Sequence, residues 1–257
     1  MAQSLEVRNL TKRYSGLAVV DRVNFLLKPG EVTGYLGPNG SGKSTTVKMI
    51  TGLMEPSDGQ VLYGGESISK DIVGYKRLLG YVPEEPFLYL HLSGAEYLEM
   101  VGQLRGIPQK KLEEKIAAFL RLFDLYSDRF SPLSAYSKGM KQKVLIAAAL
   151  LHDPQIVILD EPFSGLDVNS VLVLKHLVQA LGEAGKVVLY SSHVLEVVEK
   201  VCARVVILNH GRVVANESVS GLRSLMHLPN LEAIFSQMVI EQDTSQIAAS
   251  MLDVMRM

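Results

Sequence analysis

The spacing of hydrophobic positions changes twice along the chain and divides it into three blocks. In the first 80 residues or so, apolar side chains occur in the short runs typical of strands, as at 5–10 and 19–27. Between about 86 and 153 they recur every three or four residues, which predicts amphipathic helices. Short apolar runs return at 156–159 and 187–190, of the kind that parallel sheets bury on both faces. The pattern predicts an α/β fold with a helical insert.

The middle block predicts three helices. Ser93 and Glu96 form a capping box at the start of the first, whose helical spacing continues to Arg105. The second helix covers 108–122, and the third covers 137–151. Together these helices form the insert.

The last block returns to alternating elements. A helix at about 168–184 lies between the two short apolar runs and makes a strand–helix–strand unit. Apolar runs at 205–208 and 213–214, on either side of 209–212, predict a hairpin. We assign residues 1–220 to one domain and 221–257 to a short C-terminal extension. The apolar residues of this extension either cap the domain or contact a second copy.

The strongest chemical signal is a glycine-rich segment between a strand-like run at 31–36 and a helical run that ends at Ile50. It matches the pattern of Gly, four residues, then Gly-Lys-Ser/Thr. A glycine-rich turn without a ligand is the alternative, but the flanking strand and helix are the context that a phosphate-binding loop requires. The residues expected to surround the nucleotide are Gly37, Pro38, Asn39, Gly40, Ser41, Gly42, Lys43, Ser44 and Thr45.

The residue types of this loop suit a triphosphate bound with Mg²⁺. Glycines let backbone N–H groups approach the phosphates closely, and the helix that follows directs its N-terminal dipole at them. Lys43 supplies a positive charge to the β- and γ-phosphates, while the Ser44 hydroxyl serves as an Mg²⁺ ligand. The segment therefore predicts binding of a nucleoside triphosphate.

Two carboxylates follow the apolar run at 156–159. Strand ends deliver side chains to the ligand crevice of an α/β sheet. Asp160 is thus placed to hold Mg²⁺ through water, and Glu161 to polarise an attacking water. A surface turn with two solvated acids is the alternative, but the phosphate-binding loop in the same chain favours the catalytic interpretation.

With these motifs in this order, residues 4–220 resemble the ATP-binding subunits of ABC transporters. The resemblance implies a P-loop NTPase fold with a RecA-like core, an antiparallel β subdomain and a helical subdomain. It implies that Asp160 is the Walker B aspartate and Glu161 the catalytic glutamate. It also implies that His193 is the switch histidine that contacts the γ-phosphate, and that Tyr14 is the aromatic residue that stacks on adenine. An exposed loop tyrosine without a ligand is the alternative for Tyr14.

The family signature, usually Leu-Ser-Gly-Gly-Gln, reads Tyr-Ser-Lys-Gly-Met at 136–140. Ser137 and Gly139 are retained, and the resemblance implies that Ser137 donates its hydroxyl to a γ-phosphate held by the opposite subunit. Lys138 adds a positive charge. An N-capping serine at a simple helix start is the alternative. The segment 164–167 matches the D-loop, which signals between paired subunits.

Glu84 stands where the family usually has a glutamine that approaches Mg²⁺. Glutamate keeps an oxygen ligand but adds a negative charge beside the triphosphate, which would either strengthen metal binding or raise the cost of closing around ATP. Glu85 next to it leaves the assignment ambiguous. This loop joins the strands to the helical block, so it could couple the nucleotide state to a partner.

The resemblance implies that two subunits pair head to tail around two ATP molecules and power transport through separate membrane-spanning polypeptides. The second subunit is either another copy of this chain or a different ABC ATPase. The variant signature is similar to that of the bacterial ABC-2 exporter group. A groove lined by residues 85–105, with apolar candidates at Tyr81 and 87–90, is expected to receive a helix of the membrane subunit. Packing of these apolar residues within the insert itself is the alternative. A soluble ABC ATPase that assembles cytosolic complexes and a P-loop kinase are the rival hypotheses.

Composition narrows the function further. The net charge of -1 over 257 residues gives no basic excess, so no nucleic-acid partner is expected. Cys202 is the only cysteine, which excludes an internal disulfide and indicates a reducing compartment. No apolar run reaches the roughly 18 residues of a membrane span, and the N-terminus lacks the regions of a signal peptide. We expect a cytoplasmic protein, peripheral on the inner face of the cell membrane.

Overall fold

The computed structural model describes residues 3–85, 87–192, 194–239 and 251–255. The predicted start of the helical insert at residue 86 and parts of the C-terminal extension lie outside these ranges. The strands are β1 (Leu5–Tyr14), β2 (Leu17–Leu27), β3 (Val32–Leu36), β4 (Asp58–Tyr63), β5 (Glu66–Ser67), β6 (Leu79–Val82), β7 (Ile156–Asp160), β8 (Val187–Ser191), β9 (Arg204–Asn209) and β10 (Arg212–Ser218). The helices are α1 (Lys43–Ile50), α2 (Ile72–Leu78), α3 (Gly94–Leu104), α4 (Gln109–Leu122), α5 (Lys138–Leu150), α6 (Val168–Glu183), α7 (Leu195–Val201), α8 (Val219–Met226) and α9 (Leu231–Val239).

A small antiparallel sheet has the strand order β2-β1-β4-β5. β1 and β2 form a hairpin whose pairing ends at Tyr14 with Leu17. The turn between them places Ser15 at φ 48° and Gly16 at φ 86°, the left-handed conformations that match the twist of a tight hairpin. Both strands were predicted, and both are longer in the structure than their apolar runs.

The larger sheet has the strand order β10-β9-β3-β8-β7-β6. β10 is antiparallel to β9, whereas the other neighbours in this sheet are parallel. The predicted hairpin is confirmed, and its strands pair Asn209 with Arg212. β3, β7 and β8 are buried along their whole length because both faces of the sheet are covered.

The hydrophobic pattern does not predict β6, α2 or α7. β6 has four residues, and each of the two helices has seven, so none is long enough to display a period. At Gly80 in β6 an added Cβ would lie 2.4 Å from the Ala149 carbonyl oxygen of α5. This strand is defined by its packing against a distant helix.

Apolar layers cover both faces of the larger sheet. α1 and the antiparallel sheet cover one face, and α5 to α9 cover the other. The predicted helices of the middle block are confirmed as α3, α4 and α5, with the capping box of Ser93 and Glu96 present. They share a cluster of their own around Leu98, Leu112 and Leu120.

The first part of the C-terminal extension packs on the larger sheet. Leu231 and Ile234 of α9 are fully buried in the same cluster as α6 and α7. These residues therefore cap the domain. A domain boundary at residue 220 falls inside α8 and stays a prediction.

The order of the strands decides where the site lies. β3, β8 and β7 are parallel neighbours, so their carboxyl ends meet at the same edge of the sheet. The phosphate-binding loop follows β3, and the two acids stand at the end of β7. The register pairs Asp160 with Ser191 on β8, which brings residue 192 to the same edge.

Candidate nucleotide-binding site

The phosphate-binding loop is held between two strands. Gly40 and Gly42 have φ angles of 78° and 100°, which glycine adopts without steric cost. An added Cβ on Gly37 would lie 2.4 Å from the Leu208 carbonyl oxygen of β9, and one on Gly42 would lie 2.7 Å from the Val19 carbonyl oxygen of β2. Side chains are therefore excluded at both positions, and the close packing maintains the curved conformation of the loop.

Lys43 folds back over this loop. Its Nζ donates hydrogen bonds to the carbonyl oxygens of Gly37 at 2.7 Å and Pro38 at 3.0 Å. Burial lowers the pKa of this ammonium, while the carboxylates of Glu161 and Asp160 oppose that shift. A phosphate oxygen could replace either carbonyl oxygen as the acceptor, and it would form a stronger, charge-assisted bond.

The first turn of α1 adds backbone donors to the loop. The first N–H groups of an α-helix have no partner within the helix, and the N-cap Gly42 has no side chain to accept from them. Within the described structure, the buried Ser41 Oγ makes no hydrogen bond. The start of α1 thus leaves backbone N–H groups available to an anion.

The two acids are held firmly at the end of β7. Asp160 is 3% exposed, and its burial, reinforced by the Glu84 and Glu161 carboxylates, raises its pKa to about 6. Glu161 follows in the left-handed region at φ 48°. Its N–H donates to the Ser191 carbonyl oxygen at 3.0 Å, and its Oε2 accepts from Ser192 Oγ at 3.4 Å. The first contact holds the backbone of Glu161 against β8, and the second directs its carboxylate toward Ser192.

One cavity of about 470 Å³ lies between the loop and the acids. The predicted site residues that line it are Asn39, Gly40, Gly42, Lys43, Ser44, Thr45, Glu84, Asp160 and Glu161. Gly37, Pro38 and Ser41 belong to the same loop. The structure therefore brings the predicted phosphate, metal and water-activating residues to a single space.

The residues around this cavity fit Mg²⁺ bound together with phosphates. Among the described residues, no group of three or more His, Cys, Asp or Glu side chains could hold a metal ion on its own. Mg²⁺ prefers oxygen ligands, and it usually takes one or two carboxylates together with substrate phosphates and water. Ser44, Asp160 and Glu84 offer a hydroxyl and two carboxylates of that kind.

Tyr14 is not among the described residues that line the cavity. It ends β1 with 45% of its surface exposed, and Lys12 Nζ lies 5.7 Å from the centre of its ring. Its hydroxyl donates to Met54 Sδ at 3.2 Å. The stacking of Tyr14 on adenine stays a prediction.

Ser137 and Gly139 also lie outside the cavity lining, within the part of the chain that the structure describes. Ser137 is the exposed N-cap of α5, and its Oγ accepts from the Met140 N–H at 3.2 Å. The capping role is therefore present, and the hydroxyl hydrogen remains able to donate. An added Cβ on Gly139 would lie 2.5 Å from the Gly165 carbonyl oxygen, so glycine here permits a close contact with the D-loop.

His193 lies outside the described residues, so its role as the switch histidine stays a prediction. Sequence reasoning missed Val19, which lines the cavity, and Ser192, which contacts Glu161. Val19 gives no signal because it is an ordinary strand valine. The signal for Ser192 is its position directly after the apolar strand that precedes His193.

Comparison with known proteins decides the family. The model of the ABC transporter family matches residues 20–164, which include the loop and both acids. The ABC-type transporter ATP-binding protein EcsA of Bacillus subtilis (strain 168) is 36% identical over 219 residues, covering 85% of this chain and 89% of EcsA. This chain belongs to the ABC transporter family. As an ABC ATPase it binds and hydrolyses ATP and powers transport through membrane-spanning subunits.

Solved structures agree with this placement. The ATP-binding subunit of an ABC transporter superimposes with a TM-score of 0.86 at 35% identity, covering 91% of this chain and 98% of that one. The ATP-binding cassette MJ0796, solved as a dimer in a post-hydrolysis state with ADP and Pi, gives a TM-score of 0.75 at 25% identity, covering 83% and 98%. The predicted P-loop NTPase fold is confirmed. No helix in the described ranges has both the length and the apolar character needed to cross a bilayer.

Proposed function

We propose that this ABC ATPase hydrolyses ATP in the cavity between the phosphate-binding loop and Glu161, as one of two head-to-tail subunits of an exporter-type transporter. The observation that carries the proposal is that Lys43, Ser44, Asp160 and Glu161 line one cavity of about 470 Å³. Phosphoryl transfer to water depends on positioned donors around the phosphates and an oriented acceptor for the proton of the water. Lys43 and the loop are proposed to supply the donors, and Glu161 the acceptor.

The loop binds the phosphates of ATP. Lys43 exchanges its bonds to the Gly37 and Pro38 carbonyl oxygens for bonds to β- and γ-phosphate oxygens. Backbone N–H groups of residues 39–45 surround the remaining oxygens, and the glycines let them approach without a clash. Tyr14 is proposed to stack on the adenine.

Ser44, Asp160 and Glu84 are proposed to hold Mg²⁺. When bound, the ion supplies positive charge to the β- and γ-phosphate oxygens. Burial and the neighbouring carboxylates raise the pKa of Asp160 in the absence of a cation, so ionised Asp160 gains from a positive charge nearby. Because Glu84 carries a full charge where the family has a neutral amide, we expect it to bind a divalent cation more tightly than glutamine would.

Glu161 is proposed to accept a proton from the attacking water. The Ser191 carbonyl oxygen and the Ser192 hydroxyl hold it in place. The water oxygen bonds to the γ-phosphorus, the bond from that phosphorus to the β–γ bridging oxygen breaks, and ADP and phosphate leave. His193 is proposed to contact the γ-phosphate during this step.

The partner subunit is proposed to complete each site. Ser137 is exposed at the start of α5, where its hydroxyl can donate to a γ-phosphate held by another chain and the helix dipole adds to the attraction. Gly139 keeps this helix start close to the D-loop. The partner is a second copy or a different ABC ATPase, and the dimeric structure of MJ0796 supports pairing.

A groove beside the helical insert is proposed to receive the membrane-spanning subunit. It is a cavity of about 320 Å³ whose lining includes Tyr81, Tyr97 and Val101. Phe87 in the adjoining loop is 82% exposed. A short amphipathic helix fits a groove of this kind. The chain would then be a peripheral subunit on the cytoplasmic face, with the ATPase domain at 1–220 and the extension at 221–257.

The substitution Glu161→Gln tests this proposal. It keeps the shape of the side chain and removes the base, so we expect ATP affinity like that of the wild type and ATP-dependent dimers in gel filtration. The kcat for ATP hydrolysis should fall at least about 100-fold. Near-normal turnover would refute the role of Glu161. Hydrolysis by the wild type without an added acceptor distinguishes an ATPase from a kinase.

The matched control for the metal role of Glu84 is Glu85→Gln, compared with Glu84→Gln. Glu85 is an exposed acid and is not among the described residues that line the cavity, whereas its neighbour Glu84 is. The control should hydrolyse ATP at the wild-type rate. A loss in Glu85→Gln with full activity in Glu84→Gln would show that the metal role belongs to Glu85.

A further inference from the structure

The first two turns of α5, which follow Ser137, lie along the loop that leaves Glu161. Lys138 Nζ donates to Ser164 Oγ at 2.7 Å. One turn later Gln142, only 2% exposed, donates from Nε2 to the Pro162 carbonyl oxygen at 3.1 Å. We call the contact between residues 138–143 and residues 162–167 the signature joint.

Two glycines bring the two backbones of the signature joint together. An added Cβ on Gly139 would lie 2.5 Å from the Gly165 carbonyl oxygen. Gly165 has a φ of 77°, and an added Cβ there would lie 2.9 Å from Cγ of Lys138. The joint therefore has no room for a side chain on Gly139, while a side chain on Gly165 would displace that of Lys138 and strain the backbone. A displacement of the D-loop should therefore also displace the start of α5, because closely packed groups cannot move independently.

Charges at the far end extend the joint. Lys143 Nζ lies 3.5 Å from Asp167 Oδ2. Asp167 is also the N-cap of α6, where its Oδ1 accepts from the Ser170 N–H at 2.9 Å. The joint thus connects the start of α5 to the start of α6 through polar contacts at both ends.

We propose that Lys138 is a positioning residue that sets the direction in which Ser137 faces the partner's ATP. Its bond to Ser164 ties the start of α5 to the segment that begins at this chain's own Glu161. The direction in which Ser137 faces the ATP held by the partner therefore depends on the conformation of this chain's D-loop. That D-loop lies beside this chain's own ATP site. This inference rests on the proposed paired site, and it assigns the Lys138 ammonium to the D-loop and not to a phosphate.

A double-mutant cycle of Lys138→Met and Ser164→Ala tests the assignment. Each substitution removes one partner of the same bond and leaves the cavity lining intact, so ADP affinity of the unpaired chain should not change. We expect each single variant to lower kcat about threefold to tenfold, with a lower Hill coefficient for ATP. The double variant should be no slower than the slower single variant, because the bond is already lost.

Conservative variants separate positioning from folding. Lys138→Arg and Ser164→Thr keep a donor and a hydroxyl, so both should recover at least half of the wild-type kcat. Thermal unfolding of all the variants should be close to that of the wild type, since the bond is exposed at the surface.

Three results would overturn the assignment. They are unchanged kinetics in both single variants, losses that multiply in the double variant, or a slow Lys138→Met variant beside a fully active Ser164→Ala variant. The last result would mean that Lys138 acts directly on the partner's phosphate. Each is distinct from failure of the proposed function, which would appear as an inactive wild type or as a Glu161→Gln variant with normal turnover.

Discussion

The two halves of the proposed ATP site differ in how far one chain assembles them. Lys43 and Asp160 line one cavity, and neighbouring strands hold the loop between them. Ser137 stands exposed at a helix start, and the residues after it contact the D-loop of the same chain. The cavity half, with Lys43 and Asp160, surrounds a space for phosphate. The signature half, with Ser137, lies outside the lining of that space and faces solvent.

This difference separates two kinds of contribution. The cavity half is proposed to bind the chain's own nucleotide, and its glycines also belong to the packing of the domain. Substitutions there should change nucleotide affinity, stability or both. The signature half is proposed to act on a phosphate that another chain holds, so its substitutions should lower turnover and leave a single chain's affinity intact.

The largest effect is expected from Lys43→Ala. Lys43 is the one cation among the described residues that line the cavity. Without it, ATP affinity measured by titration calorimetry should fall at least about 100-fold. Lys48→Ala on the exposed side of α1 is the control and should bind ATP normally. Unchanged affinity in Lys43→Ala would contradict the assignment of the cavity.

Gly37 and Gly40 should differ although they lie in the same loop. A Cβ on Gly37 meets the Leu208 carbonyl oxygen at 2.4 Å, whereas nothing lies within 4 Å of one on Gly40. We expect Gly37→Ala to lower the free energy of unfolding by about 2 to 3 kcal/mol and to abolish ATP binding. Gly40→Ala should cost about 1 kcal/mol, from its positive φ alone. Equal losses in urea unfolding would show that the loop is not held as described.

Ser137→Ala is expected to lower kcat about tenfold or more and to leave ADP affinity of the single chain unchanged. An equal loss of ADP affinity would place Ser137 at its own chain's site.

A second test mixes the Ser137→Ala variant with the Glu161→Gln variant. A mixed pair contains one site with intact Glu161 from one chain and intact Ser137 from the other. Random pairing should restore about a quarter of the wild-type activity if the subunits pair head to tail.

The smallest effect concerns the contact between the helical insert and the core. His152 bonds through Nε2 to the Leu79 carbonyl oxygen at 3.1 Å, and burial, aided by the charge of Arg105, lowers its pKa to about 4. The folded chain therefore binds fewer protons than the unfolded chain between pH 4 and the ordinary histidine value near 6.5. This contribution to stability is complete above pH 6.5 and is lost as the pH falls towards 4.

We expect it to amount to about 1 kcal/mol, because the ring is partly exposed and solvent screens part of the shift. Urea unfolding at several pH values should show that His152→Gln removes this part of the pH dependence. His176→Gln on the exposed side of α6 should retain it. Identical pH profiles for the wild type and His152→Gln would contradict the prediction.

The fold could be predicted where elements are long enough to show a period. The capping box at Ser93, the helices of the insert and the buried strands before Asp160 and Ser191 all carry local patterns. β6 carries none, because four residues cannot show a period. Its place at the sheet edge comes from pairing with β7 and from contact of Gly80 with α5.

The site divides in the same way. The loop and the two acids could be recognised because phosphate binding requires fixed residue types within a few positions of each other. The contact of Val19 with the loop depends on how β2 packs, and that of Ser192 with Glu161 depends on the register of β8 beside β7. Neither of these two contacts could be predicted from the residues next to it in the sequence.

The family, the nucleotide chemistry and the order of the elements could be predicted from the sequence, because each depends on short segments with strong local constraints. Only the tertiary structure shows that Lys43 and Asp160 line the same cavity and that Lys138 is hydrogen-bonded to Ser164. These contacts join residues far apart in the chain. Their distances follow from the packing of the whole core, which no single segment encodes.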